Sequence, residues 1–119
     1  MPLLDVTIVG EPARRQGLAQ RLADAAGAAL QARAGGTWVT LHVVEAGDYA
    51  ESAGAPGGVM PVFVRLIERE LPRGDDLDAR VIALAEAVAS VCARPRENVH
   101  VVLEPAGAGR IAFGGVLVR

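Results

Sequence analysis

Lysine is missing from this sequence: all 12 basic side chains in its 119 residues are arginine. Arginine keeps its proton at any working pH, so no side chain can form a Schiff base or act as a tuned amine base. The one amine left is at the N-terminus. Cysteine occurs once, at Cys92, which excludes an intrachain disulfide and a cysteine-built metal site. Set in an apolar helical run, Cys92 reads as core. The two histidines, His42 and His100, are too far apart to suggest a metal site and read as structural residues. No apolar run approaches the ~20 residues needed to cross a bilayer. The net charge of −2, with arginines scattered, argues against a nucleic-acid partner. Neither a phosphate-cradling glycine loop nor a serine-centred nucleophile motif is present, which disfavours phosphoryl and acyl transfer. No metal and no cofactor are expected. The opening Met1-Pro2-Leu3-Leu4-Asp5 has no basic stretch followed by an apolar one, so a cytoplasmic protein is expected.

What is present is a well-cored chain, 51% hydrophobic with mean hydropathy +0.30, of a length that normally makes one domain. Leu3 to Val9 alternates, with Leu4, Val6 and Ile8 on one face and Asp5 and Thr7 on the other, and predicts a strand. A helix able to begin at Pro12 follows, with Leu18, Leu22, Ala25, Ala26, Ala29 and Leu30 at helical spacing and a stop at Gly35-Gly36. Trp38 to Val44 predicts the second strand. Val62 to Ile67 is a third, Gly74-Asp75-Asp76 supplies a turn and an N-cap, and Leu77 to Val91 carries a second helical stripe ending near Arg94, before Pro95. Asn98 to Leu103 is the fourth strand, and Arg110 to Val118 forms a hairpin around Gly114-Gly115.

The order β-α-β thus occurs twice, in residues 1–59 and 60–119. Met1-Pro2 matches Met60-Pro61, and the Gly57-Gly58 stretch matches Gly114-Gly115. Aligning the two prolines sets apolar Val6 against Arg65, so either the register slips or both sheet faces are partly buried. The expected fold is α+β: tandem β-α-β units forming a four-stranded mixed sheet with two helices on one face. The opposite sheet face then needs a cover, which predicts a homo-oligomer, most simply a trimer.

Proline directly after the initiator methionine permits methionine removal, which would leave Pro2 with a free secondary amine. An α-amino group titrates near ~7.7–8.0 and moves lower when desolvated or set beside cations, as a general base at neutral pH requires. Pro61 is internal, so its nitrogen is an amide. Pro2, the duplication, the helix placement and the run from Val99 through Glu104 to Gly114-Gly115 together resemble the tautomerase superfamily, in particular 4-oxalocrotonate tautomerase and its fused, trimerising two-unit members. The resemblance spans essentially the whole chain and implies a fold like that of macrophage migration inhibitory factor. It also implies an isomerase in which the Pro2 amine moves a proton between carbon and oxygen of a 2-hydroxydienoate or enol, while arginines hold the small carboxylate substrate.

In short-chain members of that family an arginine follows the first strand. Pro12 stands there in this sequence, with Arg14 and Arg15 shortly after. A second family arginine, at the start of the second strand, is replaced by Thr40 and His100. Fused relatives carry an arginine pair near the end of the third strand, and Arg69 and Arg73 lie there, with Arg65 in reserve; Phe113 resembles a pocket wall. Each of these also fits a solvated surface or a packed core. Two rival readings stand beside the tautomerase. In one, protonated Pro2 and a water-activating carboxylate (Glu45, Asp48 or Glu104) dehalogenate or decarboxylate an acrylate-like acid. In the other, the same element order makes a ferredoxin-like module that binds small molecules without chemistry.

Overall fold

The computed structural model describes residues 2–119. Strand β1 (Leu3–Val9) leads to helix α1 (Leu18–Ala29) and strand β2 (Trp38–Val44); β3 (Val62–Ile67) leads to α2 (Gly74–Cys92) and β4 (Val99–Leu103); β5 (Ala112–Phe113) and β6 (Val116–Leu117) form a short antiparallel hairpin. The first four strands make one mixed sheet in the order β2-β1-β3-β4. The outer pairs are parallel and the central pair β1-β3 is antiparallel. The expected α+β architecture is therefore observed.

Alternation decides which face carries the core. Leu4, Val6 and Ile8 of β1 and Val62, Val64 and Leu66 of β3 turn toward the helices and are buried. Against them pack Leu18, Leu22 and Ala26 at four-residue steps on α1, and Leu84, Val88 and Cys92 at the same spacing on α2. These residues form one apolar cluster shared by both halves.

The ambiguity in the repeat resolves as a register slip. Val6 and Val64 are Cα partners across the β1-β3 seam and both are fully buried, so Leu3, not Pro2, is the counterpart of Pro61. The helix starts also differ from expectation. Helix α1 begins at Leu18 and not near Pro12, because Gly17 takes a left-handed φ of 61° and the Arg21 guanidinium draws in the carbonyls of Arg14 and Gln16, which holds the preceding loop out of helical geometry. Its stop comes before the glycines: Gln31 has φ 54°, and Ala32 N–H donates to Gly27 O at 2.9 Å. Helix α2 begins earlier than expected, at Gly74. Arg73 precedes it with no side-chain cap, and Asp75 and Asp76 lie in the first turn, where their charge suits the helix N-terminus.

The helix-free face of the sheet carries the alternate residues, arranged in cross-strand rows. One row runs Thr40, Asp5, Arg65, Val102; the next runs His42, Thr7, Phe63, His100. No helix among the described residues is long and apolar enough to cross a membrane.

Candidate active site

Because β1 and β3 are antiparallel and Leu3 faces Ile67, the start of β1 and the end of β3 lie at the same end of the sheet. Pro2 is buried there, and its carbonyl accepts the Trp38 N–H at 3.0 Å, which extends the β1-β2 ladder to the proline. Next to its chain neighbour Leu3 and its partner Trp38, though not lined by Pro2 itself, opens a cavity of about 230 Å³ lined by Leu3, Leu4, Asp5, Trp38, Thr40, Arg65, Ile67 and Glu104. That is the scale of a small acid.

The polar side chains of the cavity are few and convergent. Arg65 Nη1 donates to Glu104 Oε1 at 2.8 Å, both groups being partly exposed. Asp5 is the cross-strand neighbour of Arg65, and its Oδ1 lies 4.0 Å from His42 Nε2. Trp38, 56% exposed, is nevertheless held in place: its indole N–H donates to Gly35 O at 3.2 Å, and its ring meets Phe113 edge-on at 5.0 Å between centroids.

The closing hairpin reaches this end because the chain after β4 folds tightly over the segment after β3. Gly107 N–H donates to Glu68 O at 2.6 Å and Ala108 N–H to Arg69 O at 3.1 Å. The approach is close: a Cβ on Gly107 would lie 2.7 Å from Ile111 Cδ1 and 3.2 Å from Glu68 O, so the Ile111 side chain would have to shift to admit one. Below this contact, buried Glu68 is held by both faces of the Arg80 fork, Nε to Oε2 at 2.8 Å and Nη2 to Oε1. The hydrogen bonds to Glu68 push the Arg80 guanidinium above its already high range.

The structure divides the residues singled out in the sequence. It gathers Pro2, Arg65, Glu104 and, through Trp38, Phe113 at one end. Arg69 follows β3 at that same end, but its Nε is engaged by the backbone oxygen of Arg119. Arg73 is exposed ahead of α2 and does not line the cavity. Arg14 and Arg15 sit beyond the opposite end of β1, about 20 Å away along a seven-residue strand; Arg15 pairs there with Glu11 at 3.6 Å. Glu45 and Asp48 follow β2 at that far end too, which leaves Glu104 as the one of the three proposed water-activating carboxylates beside Pro2. Asp5 and Trp38 were not singled out as site residues by the sequence reading. Outward parity was legible for Asp5, but the partner that brings it beside Arg65 depends on the β1-β3 register. Among the described residues no group of three or more histidine, cysteine or acidic side chains is placed to hold a metal.

Searches against protein-family models and against curated proteins return no match. Solved structures do match over nearly the whole chain. A fused 4-OT, a wild-type symmetric trimer, is 24% identical, with 98% of this chain and 94% of that one covered and a TM-score of 0.73. The fold is that of the fused 4-OT structures. Pt0534 inactivated by 2-oxo-3-pentynoate superposes with a TM-score of 0.75 at 18% identity, covering 97% and 95% of the two chains. FG41 malonate semialdehyde decarboxylase inhibited by 3-bromopropiolate gives 0.68 at 17% identity, covering 94% and 88%. The fused 4-OT fold is thus shared by proteins of more than one activity, and the choice between activities rests on the site.

Proposed function

We propose that this protein is a proline-based tautomerase that ketonises or isomerises a small enol or 2-hydroxydienoate carboxylate, and that it works in the cytoplasm as a homotrimer whose helix-free sheet faces are covered by neighbouring copies. The observation that carries the reading is the placement of Pro2: it directly precedes the central strand β1, is fixed through its carbonyl to Trp38, and is joined through Leu3 and Trp38 to a cavity holding a guanidinium. With Met1 removed, the Pro2 nitrogen is a secondary amine able to accept the enol hydroxyl proton and return a proton to carbon, with no net change in protons. Arg65 holds the carboxylate and cannot compete for the proton. Arg69, at the same end, adds positive charge near the amine, which favours its neutral, basic form.

The test compares the ultraviolet rate of 2-hydroxymuconate ketonisation by the native chain and by Pro2→Ala at neutral pH, with intact mass to follow methionine removal. A native rate above buffer that disappears in the variant supports the reading; equal rates overturn it. Labelling of the processed chain by 3-bromopropiolate at Pro2 is the covalent counterpart, and a chain that stays unmodified favours the ferredoxin-like binding module. The Glu104 carboxylate beside the cavity favours one second reading, hydration-type dehalogenation or decarboxylation, for which chloride release from a 3-haloacrylate without ketonisation is the signature.

A further inference from the structure

The closing hairpin has little hold on the body of the protein. None of residues 104–119 joins the apolar core, and β5 and β6 form a sheet of their own. Among the described residues, every hydrogen bond that ties residues 107–119 to the rest of the chain meets Glu68 or Arg69. Gly107 and Ala108 donate their N–H groups to the two carbonyls, and Arg69 Nε donates to the Arg119 oxygen. Just before them, Glu104 N–H donates to Leu66 O at 2.9 Å. The hairpin that brings Phe113 to Trp38 thus hangs on a two-residue seat directly after β3.

That seat is fixed from its other side. Glu68 is the one buried charged side chain among the described residues, and both its oxygens are taken by the fork of Arg80 on α2. Two parallel bonds set direction as well as distance. An apolar pair of similar size can match a buried ion pair in stability, so what this pair supplies beyond burial is orientation. Turning Glu68 to re-aim its carbonyl would pull its carboxylate off both guanidinium nitrogens, and Gly107, packed against that carbonyl, would move with it.

From this we infer that Glu68 and Arg80 are positioning residues: their ion pair seats the closing hairpin, and so sets Phe113 against Trp38 and the place of Glu104 in the Pro2 cavity. Neither residue lines that cavity. The kinetic consequence rests on the reading of the Pro2 cavity as the substrate site; the seating itself does not.

The native protein is compared with the double variant Glu68→Met, Arg80→Met and with Arg80→Lys, which keeps the charge and gives up the fork. In hydrogen exchange followed by mass spectrometry, peptides covering residues 104–119 should exchange at least tenfold faster in both variants, while those covering β1 and β3 stay within threefold. A uniform loss of stability does not produce that contrast. The near-ultraviolet circular dichroism of Trp38, the only tryptophan, should move toward that of Phe113→Leu. KM for 2-hydroxymuconate should rise at least fivefold with kcat within threefold. Arg80→Lys stands in if the double variant does not fold. Hairpin exchange within threefold of native, acceleration shared equally by β1 and β3, or a loosened hairpin with KM unchanged overturns the inference. A loosened hairpin with an altered Trp38 signal, in a protein whose native form ketonises no enol acid, leaves the seating intact and overturns the tautomerase reading instead.

Discussion

The two ends of the central strand pair have the same backbone and different side chains. Val6 faces Val64 at the middle of the β1-β3 seam, and from that pair outward each residue of β1 has a counterpart in β3. On the helix-free face the row Thr40, Asp5, Arg65, Val102 at the Pro2 end therefore corresponds to His100, Phe63, Thr7, His42 at the Pro61 end. The first row is ionic and borders a cavity. The second is aromatic: Phe63 touches His100 at 5.4 Å and Tyr49 at 5.9 Å between ring centroids. Tyr49 is itself held by Glu51, whose hydrogen bond and charge, with some desolvation, push the phenol above its ordinary range. The Pro61 end is further tied down by Arg94, whose Nη1 reaches the carbonyls of Val9 at 2.6 Å and Met60 at 2.9 Å. Inward residues of the two halves are alike because both feed one core; the outward ones differ, so one end borders a cavity while the other is braced by Arg94.

The sharpest way to break this comparison is to treat the two prolines alike. Pro2→Ala should lower ketonisation by about 10²–10⁴-fold, the usual worth of a positioned general base, while Pro61→Ala, altering an amide at the braced end, should leave turnover within about threefold. Removing the support under the Pro2 end comes next. Glu68→Ala leaves Arg80 partly buried without its counter-ion, and urea unfolding should show a loss of about 3 kcal/mol. At the braced end, Arg94→Met strips the carbonyls of Val9 and Met60 of a charged donor. A loss of about 2 kcal/mol is expected in urea unfolding, with the ketonisation rate unchanged; a change in rate would mean that the ends are coupled. The smallest effect concerns Cys92, close to that brace. Burial raises its thiol pKa, against a lowering by Arg94 and Arg21, so at pH 8 iodoacetamide should modify it in urea and barely at all in the folded chain, as followed by mass spectrometry.

Much of the fold was legible because alternation and helical spacing are local signals. The ranges of β1 and β2 and the hairpin turn at Gly114-Gly115 agree with the sequence reading. The start of α1 was not legible, since the Arg21 side chain reaches back to the carbonyls of Arg14 and Gln16 and holds the preceding loop out of the helix, a contact that spacing does not announce. The same limit applies to the site. Pro2 stood out by chemistry and position, whereas Asp5 and Arg65 come from two different strands and Glu104 from just beyond a third, and they meet only through pairing partners that parity leaves open. Arg69 and Arg73 were favoured by sequence position, yet β3 ends at Ile67, so neither continues the strand face that carries Arg65.

The pairing of Val6 with Val64 also sets an order of events. Strand β1 leaves the ribosome before β2 and can find it through the intervening helix, but its other edge stays open until β3 has been made. Contacts so distant in sequence form slowly, because the loop must close before the seam rewards it. Glu104 arrives later still, after β4. The cavity at the Pro2 end is thus walled by β1 and finished only once the residue after β4 has been made, and a chain stopped after α2 would hold its proline with the pocket only partly built.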